Sequence, residues 1–345
     1  MNKQVILLSV GMFLISTNSS FAQDPVFSQF YNSAVYLNPA LVGEEEDVYL
    51  NFAHRSQWRS LEFPYTTHQV SLMVPYYNDK HRRPAGHIGG FGASFYGDLS
   101  GESQNLKTYG GNASFAYNLQ MSEQYTSRLT FALQVGFIHK RIDKNNLRWG
   151  EQYNPFIGFD NSVTPSDLDQ LDNSTFLDFT TGAFYRYYPA SNKSIVRSLY
   201  AGVAVAHLNN PDESVLDGLS NRLPLLYKFH GGSVFYLSEK ASISANFLTL
   251  FQDQVNQTNL GMFLSYMLPF ETSGALTNLL TRIGAWHRVN DSFIGSLEFV
   301  TNNFQIGFSY DWNVTSLRYN NRGPGSYELS MGYRFYTPAP PKVRY

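Results

Sequence analysis

Cysteine is absent from the 345-residue chain, so neither a disulfide nor a cysteine-ligated metal stabilises it. An excess of charge of one sign is also absent: 25 basic residues stand against 27 acidic ones, and the formal net charge is -2. Because the charges balance, the protein has no net positive potential to attract nucleic acid, and we expect no nucleic-acid partner. Long apolar runs are missing too, because the stretch 5–15 is shorter than the roughly 20 residues of a membrane anchor. The sequence therefore excludes a helical membrane protein.

Residues 1–22 have the organisation of a secretory signal peptide. Lys3 precedes the apolar stretch, polar residues follow it, and residues 20–22 offer small side chains at the positions of a cleavage site. We expect the mature chain to begin near Gln23 and to be exported.

Aromatic residues are abundant. The 24 Tyr, 27 Phe and 4 Trp residues make up 16% of the chain, whereas charged residues make up 15%. An exported, aromatic-rich chain without membrane helices is typical of a transmembrane β-barrel, whose strands alternate apolar residues toward lipid with polar residues toward the lumen.

Alternation with a period of two supports a barrel. In residues 303–312 every even position is large and apolar or aromatic, and every odd position is small or polar. Residues 128–137 and 327–335 repeat the pattern. Each stretch has about ten residues, as a tilted membrane-spanning strand requires. The strands of a soluble β-sandwich, which is the alternative, are most often about five or six residues long.

Fourteen segments of this kind can be marked along the chain, and an even number allows an antiparallel barrel to close with both ends on one side. The predicted strands are 47–55, 65–76, 87–97, 104–119, 126–142, 176–189, 195–208, 226–237, 239–250, 256–268, 280–290, 292–300, 302–312 and 325–337. We therefore predict an all-β fold: a transmembrane antiparallel β-barrel of about 14 strands over 47–337. Residues 23–46 would form an N-terminal periplasmic or plug segment, and 338–345 a C-terminal periplasmic tail.

Connection lengths predict how the barrel is oriented, because bacterial barrels keep long loops outside and short turns in the periplasm. With the N-terminus in the periplasm, the three longest connections, 143–175, 209–225 and 313–324, all face outward. We expect external partners on the first of them. The connections 77–86 and 269–279 fit less well, since both are long for periplasmic turns.

Titratable residues form no recognisable catalytic or metal-binding motif. The eight histidines are scattered, none in an HExxH arrangement, and the sequence has no G-x-S-x-G elbow, P-loop or dinucleotide fingerprint. We expect no enzymatic activity, no metal and no cofactor, although a triad built from several strands would be recognised only by its geometry. We interpret Glu328 and Arg334 as members of a polar network across the lumen.

Two charged runs are interpreted as solvated. The four consecutive acids of 44–47 repel one another and lack the turn residues that a calcium loop interleaves, so we expect a solvated lip before the first strand. The patch 79–84 is either solvated or a contact for a partner.

The stretch QDPVFSQFYNSAVYLNPALVG, residues 23–43, does not alternate and contains Asn38-Pro39, a turn signal. Its aromatic side chains require a packing partner. We expect it to fold back into the lumen as a plug or to pack against another protein.

This stretch, the run HRSQW at 54–58 and the C-terminal YDWNVTSLRYNNRGPGSYELSMGYRF resemble the PorP/SprF family of the Bacteroidetes type IX secretion and gliding apparatus. The resemblance extends over the whole mature chain; Ser56 stands where the family usually has Asn. The matched positions, expected to serve partner binding or the plug, are Asp24, Pro25, Phe27, Ser28, Gln29, Phe30, Leu37, Asn38, Pro39, Ala40, Gly43, Arg55, Gln57 and Trp58.

The resemblance implies an outer-membrane protein without catalytic residues. Its expected role is protein secretion, or the anchoring of secreted adhesins and other cargo at the cell surface. The implied partners are the C-terminal domain of secreted type IX cargo, periplasmic ring or peptidoglycan-associated components, and outer-membrane lipid. The alternatives are a porin-like diffusion channel and, third, a barrel hydrolase.

Overall fold

The computed structural model describes residues 26–58, 65–78, 87–101, 104–122, 126–144, 147–166, 168–190, 194–269, 278–314 and 325–335. The predicted signal peptide, the charged patch 79–84 and the tail 338–345 lie outside these residues. Within them, fourteen antiparallel strands form a closed barrel.

The strands and their bounds are β1 (Val48–Gln57), β2 (Tyr65–Tyr77), β3 (His87–Ser100), β4 (Leu106–Gln120), β5 (Ser127–Ile142), β6 (Tyr153–Asn154), β7 (Gly158–Phe159), β8 (Ser174–Tyr187), β9 (Val196–Ala206), β10 (Leu226–Tyr236), β11 (Ala241–Gln252), β12 (Val255–Pro269), β13 (Asn278–Arg288), β14 (Ser292–Val300), β15 (Phe304–Asn313) and β16 (Gly325–Phe335). The short β6 and β7 pair only with each other, in the loop between β5 and β8. Every barrel strand pairs with the next one along the chain, and β1 pairs with β16 to close the cylinder.

The predicted fold class is confirmed, and each predicted strand overlaps an observed one. The bounds differ by at most three residues, at the end of β3, which continues to Ser100 rather than stopping at 97. β1 continues to Gln57 rather than 55. Strand ends are fixed by pairing with the neighbouring strand, which alternation alone does not show.

Side chains alternate across the barrel wall as the pattern predicts. In β15, Phe304, Phe308 and Trp312 are 53%, 47% and 55% exposed on the outer face. Ser309 and Asp311 of the same strand are buried on the inner face. In this strand, large apolar side chains therefore cover the outside and polar ones face the lumen, as in a barrel surrounded by lipid.

The two ends of the barrel differ in their connections. The long-loop end, where β1, β5, β9 and β15 finish, bears the three longest connections. The short-turn end, where β1 begins and β16 finishes, includes the tight turns at 237–240 and 301–303.

The loops 143–173 and 207–225 at the long-loop end are bonded to each other. The amide of Asp172 donates to the Val215 carbonyl at 2.9 Å, and that of Asp217 donates to the Gln170 carbonyl at 2.8 Å. Within the first loop, the Ser166 hydroxyl and amide donate to the Glu151 carboxylate and lower the pKa of that group. The described parts of these loops are therefore held together by hydrogen bonds.

Helical structure in the described residues is confined to short turns. None of the helices there is long and apolar enough to cross a membrane.

Candidate functional site: a segment inside the barrel and a vestibule above it

Residues 26–47, here called the lumen segment, run through the barrel interior from one end to the other. The segment contains three short helical turns, Phe30–Asn32, Ala34–Leu37 and Pro39–Gly43. Ser28 contacts strand ends at the long-loop end, and Glu44 contacts strand ends at the short-turn end. The chain therefore passes through the lumen from the long-loop end to the short-turn end, where β1 begins and runs back along the wall.

Asn38 shapes the segment and bonds it to the wall. Its extended backbone precedes Pro39, which disfavours a helical conformation at the preceding residue. Its Oδ1 accepts the Ala40 amide at 2.9 Å and so caps the Pro39–Gly43 turn. Its Nδ2 donates to the backbone carbonyls of Ala183 in β8 and Val203 in β9, at 3.0 and 3.3 Å. One side chain thus serves both the local fold and the contact with the barrel.

Aromatic rings fix the first turn of the segment. The Tyr31 ring stacks on Trp286 of β13, with 5.3 Å between centroids and 18° between planes. Phe30 meets the same indole edge-on at 5.3 Å, and Phe263 of β12 meets Tyr31 edge-on at 5.0 Å. The lumen-facing rings of the barrel therefore pack against rings of the segment. Each such aromatic pair stabilises the folded protein by about 0.5–1.5 kcal/mol beyond the contribution of the buried area.

Two glycines of the wall leave space for the segment. A Cβ added to Gly92 of β3 would lie 2.5 Å from Cγ2 of Val42. A Cβ added to Gly182 of β8 would collide with the Asn38 side chain. Val42 and Asn38 are fully buried. The segment and the inner wall are therefore complementary in shape.

A buried charged cluster binds the segment at the long-loop end. The amides of Ser28 and Gln29 donate to the two carboxylate oxygens of Glu328, at 2.7 and 3.0 Å. Arg55 donates to Glu328 at 3.3 Å, to Asp311 at 3.0 Å and to the Ser28 hydroxyl. The Ser28 hydroxyl in turn donates to Asp311 at 2.6 Å. The side chains of Arg55, Asp311 and Glu328 are 2% exposed or less.

Arg288 balances the charge of this cluster. It donates to the Ser28 hydroxyl at 3.0 Å and to Asp311 at 3.4 Å, so two arginines face two buried carboxylates. Removing one partner of a buried ion pair leaves an uncompensated charge and is strongly destabilising. The segment is part of this network, because Glu328 would lose two backbone donors if Ser28 and Gln29 left.

Amide side chains continue the network further into the lumen. Asn32 donates to Glu298 of β14 at 3.0 Å and accepts from Gln305 of β15 at 2.7 Å. Gln29 donates to the Glu328 carbonyl at 3.0 Å and accepts from the Ser330 hydroxyl at 2.8 Å. Polar groups of β14, β15 and β16 are therefore satisfied by the segment.

The acidic run 44–47 is not a solvated lip throughout, and that prediction is wrong for Glu44. Its side chain is 11% exposed and accepts from Arg128 of β5 at 2.7 Å and from Arg186 of β8. Glu45 pairs with Arg334 of β16 at 3.4 Å, whereas Glu46 is exposed. The sequence shows the four neighbouring acids, but the arginines that face them come from three separate strands.

A cavity of about 710 Å³, here called the vestibule, lies above the segment at the long-loop end. Its lining includes Val26 and Arg55 together with Gln57, Trp58 and Tyr65. Trp58 has a positive φ of 54° and meets the Tyr65 ring edge-on at 4.9 Å. The left-handed region is disfavoured for a bulky side chain, so the surroundings of Trp58 determine this conformation.

The structure brings most of the predicted site residues to these two features. Asp24 and Pro25 lie outside the described residues. Arg55 bonds to Ser28, and Gln57 and Trp58 line the vestibule. The other predicted site residues lie in the lumen segment, and all of them are buried: Phe27, Ser28, Gln29, Phe30, Leu37, Asn38, Pro39, Ala40 and Gly43.

Glu328 and Arg334 lie in different networks. Glu328 belongs to the long-loop cluster and Arg334 to the short-turn end, six residues further along β16, or about 20 Å at the rise of a strand.

Asp311 and Arg288 belong to the cluster but were not singled out from the sequence. Asp311 is an odd, lumen-facing position of an alternating strand, which was the available signal. Among the described residues, no group of three His, Asp or Glu side chains is arranged to hold a metal.

Comparison with known proteins identifies the family. The sequence model of the family described as type IX secretion system membrane protein PorP/SprF matches residues 19–333 of the chain. The chain belongs to this family. Together with the closed barrel, membership indicates an outer-membrane barrel protein. No curated protein matches the sequence.

Solved barrel structures resemble the chain at low identity. The toluene transporter TbuX of Ralstonia pickettii is 10% identical with a TM-score of 0.49, covering 88% of this chain and 94% of its own. A FadL homologue of Pseudomonas aeruginosa is 13% identical with a TM-score of 0.44, covering 88% and 94%. BamA of Haemophilus ducreyi is 11% identical with a TM-score of 0.40, covering 84% and 71%.

Proposed function

We propose that this PorP/SprF member is a non-enzymatic component of type IX secretion that binds or anchors a secreted protein at the long-loop end. The observation that best supports this role is the lumen segment, which is bonded to the wall at both ends of the barrel. A lumen occupied by a bonded segment suits a binding protein better than a channel for solutes.

The outer loops supply a surface for such a partner. Phe156, at the tip of the β6–β7 ribbon, is 95% exposed, and the adjacent Ile157 is 70% exposed. The Phe156 amide donates to Oδ1 of Asn154 at 2.9 Å, which orders the tip. Exposed aromatic and apolar anchors on an ordered loop are typical of protein interaction sites.

The short-turn end would face the periplasm and meet ring or peptidoglycan-associated components. This part of the proposal rests on family membership and on the connection lengths. Export by the signal peptide at 1–22 belongs to the same proposal.

An affinity pulldown of the tagged protein from native membranes, analysed by mass spectrometry, tests the proposal. We expect a secreted protein with a type IX C-terminal domain to copurify. The double variant Phe156→Ser and Ile157→Ser should reduce its recovery, because the exposed anchors are lost.

The control is Leu237→Ser, which removes a 59% exposed apolar side chain in a turn at the short-turn end. The control should leave recovery unchanged. If no secreted protein copurifies with the unaltered chain, the proposal fails.

A further inference from the structure

The vestibule has the size and the mixed lining of a ligand-binding site. At about 710 Å³ it falls within the range of roughly 300–1,000 Å³ that is typical of ligand sites. Val26 and Arg55 belong to its lining, and Arg55 is bonded to Ser28, so the segment lies beneath the cavity. A ligand would therefore enter from the long-loop end.

Apolar side chains line part of the vestibule, although they face the lumen. Leu106 of β4, Ile138 of β5 and Phe176 of β8 lie on inward positions of their strands, and Leu223 of the second long loop joins them. The lumen of a membrane barrel is normally polar. These four residues provide a place for apolar groups of a ligand.

Amide side chains line the same cavity at Gln57, Gln257, Asn290 and Asn313. An amide side chain offers both donors and an acceptor, which matches the N–H and C=O groups of a peptide backbone. Within the described part of the chain, Nε2 of Gln257 is buried without a hydrogen-bond partner.

Arg55 adds a buried charge to the lining. Its side chain is 2% exposed, and among the described residues its Nε has no hydrogen-bond partner. The cavity therefore combines the guanidinium groups of Arg55 and Arg288, the amine of Lys140 and the carboxylates of Asp98 and Asp291 with amides, aromatic rings and aliphatic groups.

We infer that the vestibule is a binding site for a looped or extended segment of a secreted polypeptide, which inserts from the long-loop end. This inference rests on the proposed function and deepens it. A glycan would leave the aliphatic lining unused, and a small hydrocarbon would leave the amides unpaired. A peptide presents backbone polar groups and apolar side chains together. The mixture of Trp and Tyr with Asn resembles surfaces that recognise proteins.

Site-specific photo-crosslinking in living cells tests the inference. The probe is p-benzoylphenylalanine, introduced separately at position 257 in the vestibule, at 156 on the loop tip and at 131 on the lipid-facing wall. We expect position 257 to crosslink to the secreted protein that copurifies, within one contiguous segment of its sequence. Position 131 should give no such adduct.

A cavity-filling substitution provides the second measurement. Gln257→Trp should lower recovery of the secreted protein at least tenfold, whereas Phe131→Trp, on the outer face, should leave it unchanged. Folding of both variants is checked by the heat-dependent shift of barrels in gel electrophoresis.

The outcomes separate the inference from the proposed function. An adduct at 156 without one at 257, and full recovery with Gln257→Trp, would place the partner on the loops alone and overturn the inference. An adduct of position 257 with glycan or lipopolysaccharide would overturn the polypeptide class. If no secreted protein copurifies with the unaltered chain, the proposed function fails as well.

Discussion

At the residue scale, Gly92 and Val42 test how closely the lumen segment fits the wall. Gly92→Ala should lower the free energy of unfolding by about 1–3 kcal/mol, because its Cβ would lie 2.5 Å from Cγ2 of Val42. Adding Val42→Ala should recover part of that loss, since the colliding methyl groups are removed. Denaturant unfolding of the four members of this cycle in detergent measures the coupling.

The matched control is Gly150→Ala, where an added Cβ meets nothing within 4 Å. It should leave stability unchanged. Purely additive effects of Gly92→Ala and Val42→Ala would contradict the contact between segment and wall.

Glu328 tests the buried cluster. Glu328→Gln leaves Arg55 and Arg288 opposite Asp311 alone, and should cost about 3–5 kcal/mol of unfolding free energy, the typical effect of breaking a buried ion pair. Urea unfolding of the folded barrel, with exposed Glu239→Gln as the control, measures it. Equal stability of the two variants would show that the cluster does not bind the segment as described.

The sequence showed part of this cluster but not its pairing. Alternation in 303–312 assigned Asp311 to the lumen face, and the family resemblance singled out Ser28 and Arg55. Their contacts could not be predicted from the sequence, because Arg55 and Asp311 are 256 positions apart and meet only when the barrel closes around the segment. The same reason explains the wrong prediction for Glu44.

At the element scale, the short turns of the lumen segment depend on the wall more than on their own caps. Asn38→Asp preserves the cap, since Asp and Asn are comparable there, but removes the Nδ2 donor to Ala183 and Val203. We expect it to destabilise at least as much as Asn38→Ala, by about 1–3 kcal/mol. Stability close to that of the unaltered chain, measured by thermal unfolding in detergent, would mean that capping alone matters.

Strands were predictable in this protein because each one alternates over its whole length, and pairing shifted the ends by only a few residues. The path of the lumen segment was not predictable from the sequence, because its apolar residues follow no regular period. The sequence therefore left both a plug and a docking segment open.

At the scale of the whole molecule, the barrel should present its long loops to the outside. Because the chain contains no cysteine, single-cysteine variants report one position each. In intact cells, a membrane-impermeant maleimide should label Ser162→Cys, on the first long loop, and Val26→Cys, in the vestibule. Glu239→Cys, in a turn at the opposite end, should react only after the outer membrane is permeabilised.

The reverse pattern of labelling would contradict the orientation and move the vestibule to the periplasmic side. Labelling of Ser162→Cys but not of Val26→Cys would keep the orientation and contradict access to the vestibule.

The central claim is that the lumen segment closes the barrel beneath the vestibule, so that the molecule binds rather than conducts. Single-channel recording of the purified protein in planar bilayers tests it most directly, with a porin inserted under the same conditions as the control. We predict insertions without steady current at either polarity, because the segment is bonded to the wall from end to end. A large, stable, ohmic current at every insertion would contradict the account and favour a diffusion channel.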